Sequence, residues 1–365
     1  MAGRIVVFGA TGYTGRLTSE ALVARGQRPV LAGRDAARLD KLAAELGGDL
    51  ETAVADVSRP VSVDGLVGEG DVLVATVGPF VKWGDAAARA AIAGRAHYLD
   101  STGEPPFIRR VFEHFGPEAA AAGIGMVTAF GYDWVPGNLA GALALHEAGP
   151  TAVRVDTGYF ATGSNDFSGG TKASLAGVIA EPGYAFRGGG LRTVRGADRY
   201  RTFSIRGRQR PTVAVGSSEH FTLPRVHDGL LEVNAYLGWF GPMSRAMQIG
   251  SAVSSAAFRI PGSRSLAGKL TDRFVQGSTG GPSPEDRARA GSHIVGEAYD
   301  ANGQRLSEVH LSGVDGYSFT AGILAWGAER AAAGDLRGTG ALGPVDGFGL
   351  AELEAGCREA GITRL

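Results

Sequence analysis

Arg4-Ile5-Val6-Val7-Phe8-Gly9-Ala10-Thr11-Gly12-Tyr13-Thr14-Gly15-Arg16 decides how this chain folds. Four apolar residues in a row, Ile5–Phe8, read as a strand buried on both faces. A glycine turn follows, then a helix with Leu17, Ala21 and Ala24 on one face. Strand, Gly-x-x-Gly-x-x-Gly and helix together make the dinucleotide-binding unit of a doubly wound sheet. Gly9 lets the chain turn sharply out of the strand. Gly12 lets backbone approach a pyrophosphate with no Cβ between, and Gly15 lets the helix pack closely on the strand. The loop Gly9–Gly15, with Ala10 and Tyr13, is expected to hold the phosphates on backbone N–H groups at the helix N-terminus. Thr11 and Thr14 offer further hydroxyl donors.

A second strand ends in Ala32-Gly33-Arg34, nineteen residues past Gly15. The residue here faces the adenosine ribose. A carboxylate would bond the 2′-hydroxyl of NAD, whereas arginine pairs with the 2′-phosphate of NADP. NADP is therefore the expected cofactor. Asp35 follows immediately, which leaves NAD as the alternative, but Asp35 also reads as the N-cap of the next helix.

The 365 residues favour two domains, and the net charge of −1 offers no basic surplus for nucleic acid. With one cysteine, Cys357, no internal disulfide is possible. The seven histidines do not cluster at ligand spacing, so no metal is expected. A strand at residues 4–9 leaves no place for a signal peptide, which makes a cytoplasmic location the expectation. No segment has the length of a membrane span. The stretch Val233–Phe258, interrupted by Arg245, is the most apolar: a buried helix, a pocket wall, a lipid-facing patch or a dimer interface. A homo-oligomer is expected.

Through residue 136 strands and helices alternate. The expected fold is α/β: a Rossmann-type doubly wound parallel sheet in residues 1–136. Residues 137–317 read as a second, α+β domain with a mixed or antiparallel sheet, including a hairpin at Ala301-Asn302-Gly303. Residues 318–365 are expected to return to the first domain. Pro261–Arg289, rich in Gly, Ser, Pro and charge, reads as a long loop, a mobile lid or a surface excursion.

Several separate stretches resemble the saccharopine dehydrogenase-like NADP-binding oxidoreductases, a group that includes trans-acting enoyl reductases. They are the glycine loop, Ala32-Gly33-Arg34, Asp56, Val77-Gly78-Pro79-Phe80 with Trp83-Gly84, and Tyr98-Leu99-Asp100-Ser101-Thr102-Gly103-Glu104. Gly131-Tyr132-Asp133-Trp134-Val135-Pro136, Ser168-Gly169-Gly170-Thr171 and Asp315-Gly316-Tyr317 complete the set. Where such proteins often have Gly-Phe-Asp-Ser-Val-Pro, this chain has Tyr132 and Trp134. The resemblance implies an NADPH-dependent reductase acting on a C=C or C=N bond of a small or lipid-like molecule. The alternative is a non-catalytic NADP-binding sensor.

These pieces form a cofactor cleft. Asp56 is expected at the adenine or as a cap for Val57–Ser58. Val77, Gly78, Pro79 and Phe80 belong beside the nicotinamide ribose. Ser101 and Gly103 lie at the cofactor, or the Ser-Thr-x-Glu run caps the next helix. Asp133 orients the carboxamide or holds the interdomain turn. No Tyr is followed four residues later by Lys, so the acid pair of short-chain dehydrogenases is absent. The candidate catalytic residues are Lys172, Asp133 and Tyr98, with His220 and Tyr236 weaker. Phe80, Trp134 and Lys172 are expected to meet the substrate, with Trp134 shaping the pocket.

Overall fold

The computed structural model describes residues 3–163, 183–257 and 280–365. Lys172 and the Ser168–Thr171 turn lie outside the described residues.

The first sheet has seven strands, and every neighbouring pair in it is parallel. These are β1 (Ile5–Phe8), β2 (Val30–Gly33), β3 (Thr52–Val54), β4 (Val72–Ala75), β5 (His97–Asp100), β6 (Gly125–Val127) and β15 (Gly340–Leu342). Their spatial order is β15-β6-β5-β4-β1-β2-β3. Every residue of β1, β2 and β4 is buried, as strands covered by helices on both faces require. The order reverses at β1, and the strands' carboxyl ends on either side of that point open a crevice for a ligand.

The second sheet has nine strands. Its main path is β10 (Tyr200–Ile205), β11 (Arg208–Val215), β12 (Glu232–Leu237), β7 (Arg154–Thr162), β13 (Gly291–Tyr299), β14 (Arg305–Gly313) and β16 (Ile362–Arg364). The hairpin β8 (Gly183–Arg187) and β9 (Gly190–Val194) joins at β12. Among the described residues only β12 and β7 run parallel, so the sheet is mixed.

Helix Val135–Ala148 packs on the second sheet, against β7, β13 and β14, and is buried along most of its length. At Gly296 it rests directly on the second sheet: a Cβ there would stand 2.4 Å from the Ala140 carbonyl oxygen. Only glycine permits that approach. The other face of this sheet carries its own apolar cluster, built from Phe160, Phe203, Ile205, Ala214, Tyr236 and Val295. Arg201 closes one side of it by pairing with Asp156 and Glu297.

The chain's last quarter divides. Helix Gly316–Ala332 packs on helix Tyr13–Ala24, and β15 extends the first sheet, but β16 pairs with β14 in the second. The apolar stretch at 233–258 also divides. Val233–Leu237 forms most of β12, a buried interior strand, and the helix Met243–Ala257 follows it. Its first part is thus core, not a lipid-facing patch. No helix among the described residues is long and apolar enough to cross a membrane.

Candidate functional site

The glycine loop leaves β1 as the spacing requires. Gly9 has φ +93°, a left-handed conformation, and a Cβ there would press on Thr76. A Cβ on Gly15 would stand 2.2 Å from the Gly9 carbonyl oxygen, so this glycine is fixed by packing. Gly12 differs. It is exposed, and the Gly9 carbonyl at 3.2 Å is the one neighbour its Cβ would meet within 4 Å. The space beside it is open to a ligand. No side chain caps the helix that starts at Tyr13, and no acidic residue sits in its first turn. An anion therefore meets the positive end of the helix with nothing competing for it.

At the end of β2, Arg34 is exposed and forms no ion pair among the described residues. Asp35 is turned away into its helix, where its carboxylate accepts from the Arg38 N–H at 3.1 Å. The carboxylate that kept NAD open as an alternative is thus engaged as a cap. Arg38 reaches back to the Thr11 carbonyl at 3.0 Å and brings a second cation to this mouth. Asp56 is half-buried at the end of β3. The Ser58 N–H, 2.9 Å from Oδ1, holds its carboxyl below the usual range, with Arg34 adding to the effect.

Val77, Gly78 and Pro79 lie at the end of β4 with surface open to solvent, whereas Phe80 is buried against Phe107 at 5.6 Å. Phe80 is core rather than an exposed wall of the cleft. Ser101 and Gly103 are half-buried at the end of β5. The Ser-Thr-x-Glu run does not cap the helix that follows it. Glu104 accepts from the N–H groups of Phe80 and Val81 at 2.8 and 2.9 Å, and so caps helix Phe80–Gly94. Asp100 ties β5 to β6 through Thr102 N–H, Ala129 N–H and the Thr128 hydroxyl. Burial still pushes its carboxyl up to about 6.

Asp133 follows β6 where the two sheets meet. Its Oδ1 is sealed from water and has no hydrogen-bond partner among the described residues. A Cβ on Gly103 would stand 3.0 Å from its Oδ2, so the missing side chain at 103 makes room for this carboxyl. Burial pushes it up to about 7. A buried, unpartnered carboxyl costs stability, and such groups concentrate at functional sites.

Trp134 is 2% exposed, with its ring edge-on to Tyr159 of β7 at 5.2 Å. Among the described residues it is packed into the junction, with the second sheet covering its outer face. Its carbonyl accepts from Asn138 Nδ2 at 2.9 Å, and that nitrogen also bonds Ser218. Tyr159 donates to Glu219 at 2.8 Å and accepts from the Gly137 N–H at 2.8 Å. Burial pushes Glu219 up to about 7. This polar knot fixes the backbone that carries Asp133.

Tyr98 is a completely buried residue of β5, and Tyr236 belongs to the cluster on the far face of the second sheet. His220 is buried and bonded to Ser217, and burial pushes it down to about 4. These three do not come together with Asp133.

Residues 5–127 match the family model described as the saccharopine dehydrogenase NADP-binding domain. A Mycobacterium tuberculosis protein named as a putative trans-acting enoyl reductase is 35% identical over 48% of this chain and 44% of its own length. A Mycobacterium leprae trans-acting enoyl reductase is 38% identical over 37% of this chain and 34% of its own. The chain thus matches less than half the length of these relatives. Among solved structures, yeast saccharopine dehydrogenase (L-Glu forming) aligns over 100% of this chain at 13% identity, with a TM-score of 0.62. Homospermidine synthase from Legionella pneumophila, solved with NAD, aligns over 100% at 9% identity, with a TM-score of 0.61. At such identities these two likenesses establish the fold alone.

Proposed function

From a chain whose residues 5–127 are an NADP-binding domain of the saccharopine dehydrogenase family, we propose an NADPH-dependent reductase that delivers hydride to the C=C bond of an enoyl substrate. The carrying observation is the mouth of β2. Arg34 presents a cation there that forms no ion pair among the described residues, with Asp56 only nearby, and Asp35 is held in its helix cap. The names of the mycobacterial relatives favour the enoyl acceptor.

The residues present fit the cofactor. Gly12 leaves the space a pyrophosphate needs, and the helix behind it offers an uncapped N-terminus. Arg34 and Arg38 would hold the 2′-phosphate, Asp56 the adenine, and Val77–Pro79 the nicotinamide ribose. Bound NADPH supplies the hydride. Reduction of a C=C bond also needs a proton at the neighbouring carbon. Asp133 is the group in the described cleft suited to give it, because its carboxyl is about half protonated at neutral pH. Glu219, Tyr159 and Asn138 act as positioning residues that hold the Asp133–Trp134 backbone. The Trp134 ring and the second sheet exclude water from this side.

Loss of NADPH absorbance with a panel of enoyl thioesters and cyclic imines tests the proposal. Turnover of enoyl thioesters that falls at least tenfold in Asp133→Asn supports it. Turnover of imines alone would move the reaction to C=N. Tight NADPH binding with no turnover of either class would leave a sensor.

A further inference from the structure

The segment 280–290 crosses from the second sheet to the dinucleotide loop, and Tyr13 is where they join. The Tyr13 hydroxyl donates to the Pro282 carbonyl at 2.5 Å, although 269 residues separate them. Arg287 donates from Nη1 to the same hydroxyl at 2.7 Å and to the Pro282 carbonyl at 3.2 Å. Its guanidinium carbon lies 5.8 Å from the ring centre. Tyr317 meets the ring edge-on at 5.2 Å. Gly281 completes the seat: a Cβ there would fall 2.6 Å from the ring carbons, so only glycine lets strap and ring close up.

The charge on Arg287 is not neutralised locally. Asp286 pairs with Arg289, and Asp315 accepts from the N–H groups of Tyr317 and Ser318. Arg287 forms no ion pair among the described residues. It also lines a cavity of about 230 Å³ with Pro284, Ala290, Asp315 and Ser318, which gives its head room to turn. Tyr13 itself is the first residue of the helix whose N-terminus receives the pyrophosphate.

We propose that Arg287 is a second-domain binding residue for the dinucleotide pyrophosphate, fastened to the glycine loop through Tyr13. The cofactor is then gripped by both halves of the chain, and its binding fixes the strap over the loop. This rests on the dinucleotide reading above. It adds a cation that acts on the pyrophosphate common to NADPH and NADH, in contrast to Arg34, which acts only on the 2′-phosphate.

The test is fluorescence titration of the full chain with NADPH and with NADH at low and high salt. Arg287→Ala is expected to weaken both about five- to twentyfold and to flatten the salt dependence. Arg287→Lys keeps the charge and recovers most of the affinity. Tyr13→Phe loses the fastening bond and weakens both by a smaller factor. Thermal melting of each variant, expected to match wild type, separates this from unfolding. Wild-type affinity and salt dependence in Arg287→Ala would overturn the proposal, as would a loss confined to NADPH. Wild-type protein that binds neither nucleotide would instead overturn the dinucleotide reading itself.

Discussion

Asp133→Asn is expected to stabilise this protein at mildly alkaline pH and to leave it unchanged in acid. The Asp133 carboxyl moves from 3.8 to about 7 on folding, because burial opposes its charge and no group among the described residues bonds Oδ1. Between those values the unfolded chain is ionised while the folded one still holds the proton. Stability is therefore lost as pH rises from about 4 to about 7, and stays lost above. At roughly 1.4 kcal/mol per pH unit this amounts to at most about 4 kcal/mol. The residue as a whole is only half-buried, so about 2–3 kcal/mol is the reasonable figure. Asparagine keeps the shape and carries no charge, so the variant escapes the loss. Urea denaturation of wild type and Asp133→Asn at about pH 4.5 and about pH 8 measures it as a difference of differences. Asp100 and Glu219 shift in the same direction but are present in both proteins and cancel. An equal effect at both pH values, or a variant less stable at pH 8, would mean that the ionised carboxylate has a partner, and the argument for Asp133 as a proton donor would fail.

Other substitutions separate site from scaffold. Gly12→Val should abolish NADPH binding with only a small change in melting temperature, since its Cβ would meet a single neighbour, the Gly9 carbonyl at 3.2 Å. Gly15→Val should unfold the first domain, because its Cβ meets the Gly9 carbonyl at 2.2 Å; near-equal melting of the two variants would contradict this. Trp134→Ser should cost about 3–5 kcal/mol in chemical denaturation through the cavity it opens against Tyr159. A stable variant with altered substrate preference would return Trp134 to the pocket wall. Glu104→Ala should lower stability by about 1–2 kcal/mol by uncapping helix Phe80–Gly94, as read from the same denaturation curves; no change would show the cap to be dispensable.

The first sheet was legible because its signals are local. Ile5–Phe8 and Val72–Ala75 are unbroken apolar runs, and the glycine loop and the Asp35 cap each lie within a few residues of what they serve. The second sheet was less so. Val233–Leu237 has apolar residues on both faces, and Asn234 hides its polarity by bonding the buried Asp156, so alternation is blurred. The hairpin at 183–194 carries a single local signal, Gly188-Gly189 between two short stretches of which the second, Leu191–Val194, is broken by Arg192 and Thr193. In the site, the Ser-Thr-x-Glu run reads equally as a cofactor contact or a cap for the next helix; that Glu104 caps helix Phe80–Gly94 is not legible, because a capping pattern cannot say which N-terminus will lie nearest in space. Tyr159 and Glu219 carry no local motif. They are 60 residues apart and meet only because β7 and helix Glu219–Val226 pack on the same side of the junction. The Tyr13–Arg287 contact was hidden for the same reason.

Arg34 is the residue expected to select NADP(H) in this cleft. Titrating wild type and Arg34→Ala with NADPH and NADH tests it most directly. Wild type should prefer NADPH by about ten- to a hundredfold, the worth of a charged hydrogen-bond partner. Arg34→Ala should erase that preference and leave NADH affinity nearly unchanged. Equal weakening of both cofactors in the variant, or a wild-type protein that prefers NADH, would contradict the assignment.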